Sequence, residues 1–444
     1  MRRSVVALGA ALLCPSAEVW ATEAEPPVEN PLVFVVDRRL GMEAGVRTVH
    51  SLGRVAFYYD DALADALDID ETRPEGKAVA IGGRLAKGLF LDAPLVFLQT
   101  TFVHEVFGHG ARARELGLSP TYTFRLVPPY RRPLSPPDPD DPDAPDDDSD
   151  ASVATTLYEP SGVLDEDLAV RLAGIEADYA SAWWLQVGMV QRGGWMHFRD
   201  LLQYGVFRLD YVGSLASNQG EAPDDPATSN DVKSYVNGLQ LRYNRWRPED
   251  RQAIARNLQV GYLVGLADPM LWLSAYHGVV TYGLRGHRHA RLPMIQAGEW
   301  SLLPAMRYGL TPYGPEHGLD LFAKHRDVVY DIYVRAGTSG LAPSAGAGVR
   351  AFGLPVGHGR QLGGELDLWW QPDLMFDRLH VFERRQQLGA QLGLHIDWPV
   401  YRQLGLAGKL GYKSEGYVLA QPLGAGPVGY LGLSITPGEA NARE

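Results

Sequence analysis

The chain has 444 residues, 45% of them apolar, and a formal net charge of −12. Such a length and apolar content demand a substantial folded core, and the acidic surplus argues against nucleic acid as a partner, because phosphate binding needs clustered Lys and Arg. The single cysteine, Cys14, leaves no basis for disulfides, thiolate zinc sites or cysteine catalysis, so any metal must be held by His, Asp or Glu.

In chain order, Met1-Arg2-Arg3, the apolar run Val5 to Leu13 and the small-residue site Val19-Trp20-Ala21 have the layout of a secretory signal peptide, so an exported chain cleaved after residue 21 is expected. Cys14 lies within that leader and lacks the small preceding residue of a lipidation site, so the mature chain is expected to carry no thiol. The segments Pro31 to Asp37, Val46 to Tyr59 and Gly76 to Ala86 are rich in strand formers and are expected to be strands, making residues 22–87 an N-terminal strand unit.

From Gly88 to Leu116 the pattern becomes helical and stops at Gly117. Asp92, Gln99 and Thr100 interrupt it, so it reads as a buried helix rather than a membrane span. Pro133 to Asp150, PLSPPDPDDPDAPDDDSD, combines proline with repelling aspartates and reads as a solvated loop. Helical patterns resume at Asp165 to Trp184, Asp231 to Trp246 and Pro248 to about Leu266, giving a helical unit over 88–290.

Beyond about Gln296 the period changes to two. In Gln387 to Trp398 (QLGAQLGLHIDW), Leu388, Ala390, Leu392, Leu394, Ile396 and Trp398 alternate with small or polar residues. Segments 319–323, 328–336, 363–371, 404–412 and 428–435 repeat this. Strands of near-bilayer length, with glycine on the polar face and Tyr or Trp near their ends, fit an outer-membrane β-barrel over 291–444 better than a soluble sandwich. The expected fold is α+β: membrane β-barrel-like antiparallel strands, mainly C-terminal, completed by the N-terminal strands, with an inserted helical metal-site unit.

The chemistry concentrates in His104-Glu105-Val106-Phe107-Gly108-His109. Two histidines and a carboxylate supply most of what metal-assisted hydrolysis needs: ligands, and a base for water. On a regular helix residues five apart diverge by about 140°, so the two histidines can share a metal only across a local π-bulge, which Gly108 makes easier.

HEVFGHG resembles the HExxxH motif of the dipeptidyl peptidase III family of zinc peptidases. That resemblance implies His104 and His109 as zinc ligands, Glu105 as general base and a third ligand on a following helix, where Ile175-Glu176-Ala177-Asp178 is the nearest match, so Glu176 is the expected ligand. The match is imperfect: Ile175 replaces the family's first glutamate, its arginine is absent, and Asp178 comes early. Asp178 is therefore an alternative ligand or a supporting partner of a histidine. The same stretch, HE-FGHGARARELGL, also resembles the site-two-type intramembrane metalloproteases, which implies spanning helices and an aspartate ligand.

Other candidates are weaker. His287 and His289 form an HxH in a basic turn, and Tyr276, His277, Tyr179 or Tyr282 would suit an oxyanion-stabilising donor. The expectation is an exported zinc hydrolase, a peptidase acting on a peptide or protein and associated with outer membrane lipid. The alternatives are a barrel channel or structural protein with a helical plug and a non-catalytic metal, and a soluble periplasmic enzyme.

Overall fold

The computed structural model describes residues 31–67, 73–124, 154–209, 231–245, 247–337, 341–357, 359–374 and 385–436. The expected leader and the acidic segment 133–150 lie outside them. The fold is α+β, and its order begins with β1 (Leu32–Val36), α1 (Met42–Leu67), α2 (Pro74–Lys87), α3 (Ala93–Phe102) and α4 (Gly110–Glu115). A two-stranded pair, β2 (Thr121–Phe124) and β3 (Ala154–Leu157), precedes α5 (Leu164–Gln191), β4 (Trp195–His197), α6 (Phe198–Leu209), α7 (Asp231–Arg242), α8 (Pro248–Gly265) and α9 (Pro269–Tyr276). The rest is β5 (His289–Arg291), β6 (Ile295–Ala297), β7 (Trp300–Thr311), β8 (Gly314–His325), β9 (Val328–Gly337), β10 (Ala345–Pro355), β11 (Gln361–Pro372), β12 (Gln386–Tyr401), β13 (Leu404–Lys413) and β14 (Gly426–Ile435).

Two of the expected N-terminal strands are helices. Met42, Val46 and Val49 recur at helical spacing and are all buried, so the apolar period outweighs the β-branched composition of 46–59. Residues 76–86 likewise lie in α2, where Ala80 packs inward. Among the described residues of that N-terminal unit, only Leu32–Val36 joins the large sheet, antiparallel to β14.

That sheet has ten strands in the order β1-β14-β13-β12-β11-β10-β9-β8-β7-β6. It does not close into a barrel among the described residues, and the reason is visible at its edges. The outer edge of β1 is taken by hydroxyls of α1: Val33 N donates to Ser51 Oγ at 2.8 Å and Val35 N to Thr48 Oγ1 at 2.9 Å, while both hydroxyls donate back to the same residues' carbonyls. At the other edge β6 is three residues long, and beyond it the β7 carbonyl of Met306 accepts from Arg208 Nη2. Edge groups that bond to side chains are not offered to another strand.

The sheet's amphipathicity is inverted relative to a water-soluble sheet. Leu388, Leu392, Leu394, Leu410 and Leu431 are 61–82% exposed. The opposite face buries Asp331, Arg350, Glu365, Asp367, Gln391 and Lys409, and the charges pair there: Arg350 bridges Asp331 and Asp367, and Lys409 reaches Glu365 at 2.7 Å. Against this polar face lies α5, a helix buried along most of its length, whose Trp183 Nε1 donates to Asp331 Oδ2 at 2.9 Å. Among the described residues no helix is long and apolar enough to cross a membrane.

Candidate metal centre

The motif stretch is a π-helical turn, Val103–His109, set between α3 and α4. Gly110 N donates to Glu105 O, the five-residue spacing of a π-turn. This is the distortion that the HExxxH spacing requires, and it brings the imidazoles of His104 and His109 to 4.9 Å between ring centres and 3.2 Å between Nε2 atoms.

Two glycines let this turn lie directly on α5. A Cβ on Gly108 would stand 2.6 Å from Ala173 O, and one on Gly174 would stand 2.2 Å from His104 Nε2. The close backbone approach carries the His104 ring across α5, where its Nδ1 donates to Asp178 Oδ2 at 2.8 Å. His109 Nδ1 donates to the Val170 carbonyl at 2.6 Å. With both Nδ1 atoms engaged, the tautomers are set and both Nε2 lone pairs point into one space.

The third group there is Asp231, the first residue of α7. Its Oδ2 lies 2.9 Å from His104 Nε2 and 3.1 Å from His109 Nε2. Three ligands bound to a tetrahedral ion at 2.0–2.1 Å would stand about 3.3 Å apart, so separations of 2.9–3.2 Å between the three ligand atoms match that triangle closely. The residues present therefore fit a divalent cation held by two imidazoles and one carboxylate.

Glu176, the expected third ligand, is engaged elsewhere. Its carboxylate receives Arg112 Nη2 at 2.7 and 2.8 Å and Ala420 N at 2.9 Å, fully inside the protein. It lies two residues from Asp178 on a helix whose 100° step turns it about 200° away from that side chain. Asp178 reaches the site, but through the outer nitrogen of His104, as a supporting partner rather than a member of the converging triangle.

Glu105 Oε2 accepts from Thr156 Oγ1 of β3 at 2.6 Å, and its charge acts on His109. Burial alone would strip charge from both imidazoles. For His104 the Asp178 and Asp231 carboxylates outweigh burial and raise its pKa well above the ordinary value; for His109 Asp231 does so. Burial opposes ionisation of Asp231 too, but the two imidazoles pull its pKa below the usual carboxylate range. A cation bound there must displace those protons, so its binding is favoured as pH rises.

The remaining candidates lie outside this triangle, Tyr179, His277 and Tyr282 buried and Tyr276 and His287 exposed. Tyr179 packs among Leu168, Leu172 and Tyr235, His277 Nδ1 bonds to Thr281 Oγ1 at 2.8 Å, Tyr282 stacks on Phe198 at 3.6 Å, and the Tyr276 ring lies edge-on to His277. His289 is in β5, opposite His197, and His287 caps a turn through its backbone to Thr281 O. Asp231 was the residue the sequence did not single out. An acidic residue opening a helix is the usual dipole preference, so it carries no mark of a ligand until the fold places it.

No family model, curated protein or solved structure matches this chain.

Proposed function

We propose that this chain is an exported zinc hydrolase, a peptidase held at the outer membrane by its strands. The observation that carries the hydrolase reading is the convergence of His104 Nε2, His109 Nε2 and Asp231 Oδ2, with the charge of Glu105, the next residue after His104, acting on His109. Two imidazoles and a carboxylate are a donor set that zinc accepts, with a coordination position left over. When bound, the cation would acidify water and polarise a carbonyl oxygen.

The protein's own groups do the rest. Asp178 and the Val170 carbonyl hold the two imidazoles in the tautomer that exposes Nε2. Glu105 takes the proton from water and passes it to the leaving amine, and Thr156 fixes the carboxylate's orientation through one oxygen, leaving the other to work as base. A peptide or protein substrate is what the motif resemblance implies.

The membrane reading is supported by the inverted sheet, whose leucines face outward while its charges are buried and paired, the pattern of strands in lipid. A non-catalytic site would use the same three ligands, and Glu105 is the residue that separates the two readings. Glu105→Gln is expected to keep about one zinc per chain and lose peptide hydrolysis by about 100-fold or more. Hydrolysis unchanged in Glu105→Gln, or zinc retained by the His104→Ala/His109→Ala double variant, overturns the hydrolase.

A further inference from the structure

The strands β1 and β14 differ in length, and the difference opens the sheet. β1 pairs only with Leu431 to Ile435, whereas β13 pairs with β14 along its whole length, from Gly426 to Ile435. Among the described residues, the edge of residues 426–430 therefore has a strand on one side only. A cavity of about 880 Å³ lies along it, within the range of about 300–1,000 Å³ usual for ligand sites.

The lining comes from both faces of the sheet. Val36, Leu410 and Leu431 belong to the exposed apolar face, at 60–73% exposure. Lys409 and Tyr430 belong to the buried polar face. The space thus wraps around the free edge of β14 and joins the apolar exterior to the charged interior.

Charge selects the kind of occupant. Lys409 is held by Glu43 and Glu365 at 2.8 and 2.7 Å, and Arg112 by Glu176 and Glu115. Arg38 and Arg39 also line the cavity. Neither has a carboxylate partner among the described residues: Arg39 Nη1 donates to the Glu115 carbonyl at 3.0 Å, and Asp37, also in the lining, accepts from the backbone N–H groups of Arg39 and Gly41. A strand from another protein is disfavoured, because Pro427 on the free edge has no N–H to offer.

We infer that this cavity is a lateral binding site for an anionic single-chain amphiphile drawn from the bilayer. Its hydrocarbon chain lies on Val36, Leu410 and Leu431 and its acidic head meets Arg38 and Arg39. The inference rests on the membrane reading for the source of the ligand, and is independent of the metal centre.

The test is photolabelling of the purified full chain in phosphatidylcholine vesicles with a palmitic acid carrying a mid-chain diazirine, alongside the corresponding uncharged alcohol. Adducts of the acid are expected to be several-fold denser on peptides spanning 36–43 and 409–431 than on 386–401, which carries the same exposed leucines. Arg38→Glu/Arg39→Glu should reduce the acid's labelling there to the level of 386–401 and leave the alcohol's unchanged. Gly424→Trp, at a position with open space around its Cα, should block both probes. Adducts spread evenly over the exposed strands, or an acid pattern indifferent to the arginine change, would overturn the site. Release of the protein from membranes without detergent would count against the membrane reading alone; the same labelling repeated in buffer with micromolar probe then decides the cavity.

Discussion

Asp231 Oδ2 lies 2.9 Å from His104 Nε2, although the two residues are 127 positions apart. Glu176, on the helix next to the motif, instead closes a buried ion pair with Arg112. The two carboxylates should therefore fail differently. Asp231→Ala is expected to lower zinc affinity by more than the 10- to 100-fold that loss of a mere supporting group costs, with little change in melting. Glu176→Ala should leave the buried Arg112 with only Glu115 opposite it and Ala420 N without its acceptor, at about 3 kcal/mol of stability, while zinc content per folded molecule stays the same. Zinc content by elemental analysis and urea unfolding separate the two; loss of zinc from folded Glu176→Ala would restore that residue as a ligand.

The contact between the π-turn and α5 depends on having no side chain at Gly174. Gly174→Ala puts a Cβ within 2.2 Å of His104 Nε2, so the imidazole must leave its place. Overpacking of this kind costs about 1–3 kcal/mol, and the displaced ligand should weaken zinc binding as well. Gly82→Ala in α2, where nothing lies within 4 Å, is the control and should be neutral or slightly stabilising. Equal behaviour of the two variants in thermal unfolding and zinc titration would contradict this packing account.

Leu392, near the middle of β12, is 61% exposed. In a bilayer, Leu392→Arg should destabilise the protein by about 2–4 kcal/mol, the range for a cation on a lipid-facing strand. On a water-facing sheet the same change is expected to stay within about 0.5 kcal/mol. Unfolding measured in vesicles discriminates the two, and a neutral result counts against membrane insertion.

His50 of α1 is held neutral. Burial depresses its pKa to about 4, and Arg54, Arg192 and Arg47 push the same way against the opposing pull of Asp200. Because the folded value lies below the unfolded 6.5, its contribution to stability is complete above pH 6.5 and lost as pH falls toward 4. The loss is on the order of 2 kcal/mol. His50→Gln should flatten the stability curve over that window, as read by denaturant unfolding between pH 4 and 7; an unchanged slope would show that another group titrates there.

Local pattern was enough for much of this protein. The period-two segments between 319 and 435 are strands close to their expected bounds, because alternation is a property of each segment alone. The five-residue spacing of His104 and His109 by itself demands a π-turn, since a regular helix would splay them by about 140°. Composition misled at 46–59, where β-branched residues sit at helical spacing and the burial of Met42, Val46 and Val49 decided the outcome.

What only the tertiary structure decided were relationships between distant segments. Whether the sheet closes depends on Ser51, Thr48 and Arg208 reaching its edges. Whether Glu176 or Asp231 completes the triangle depends on how α5 is rotated and where α7 begins. Both carboxylates look alike in the sequence, and a ligand is defined by the direction in which its oxygen points, which the chain acquires only when its helices pack.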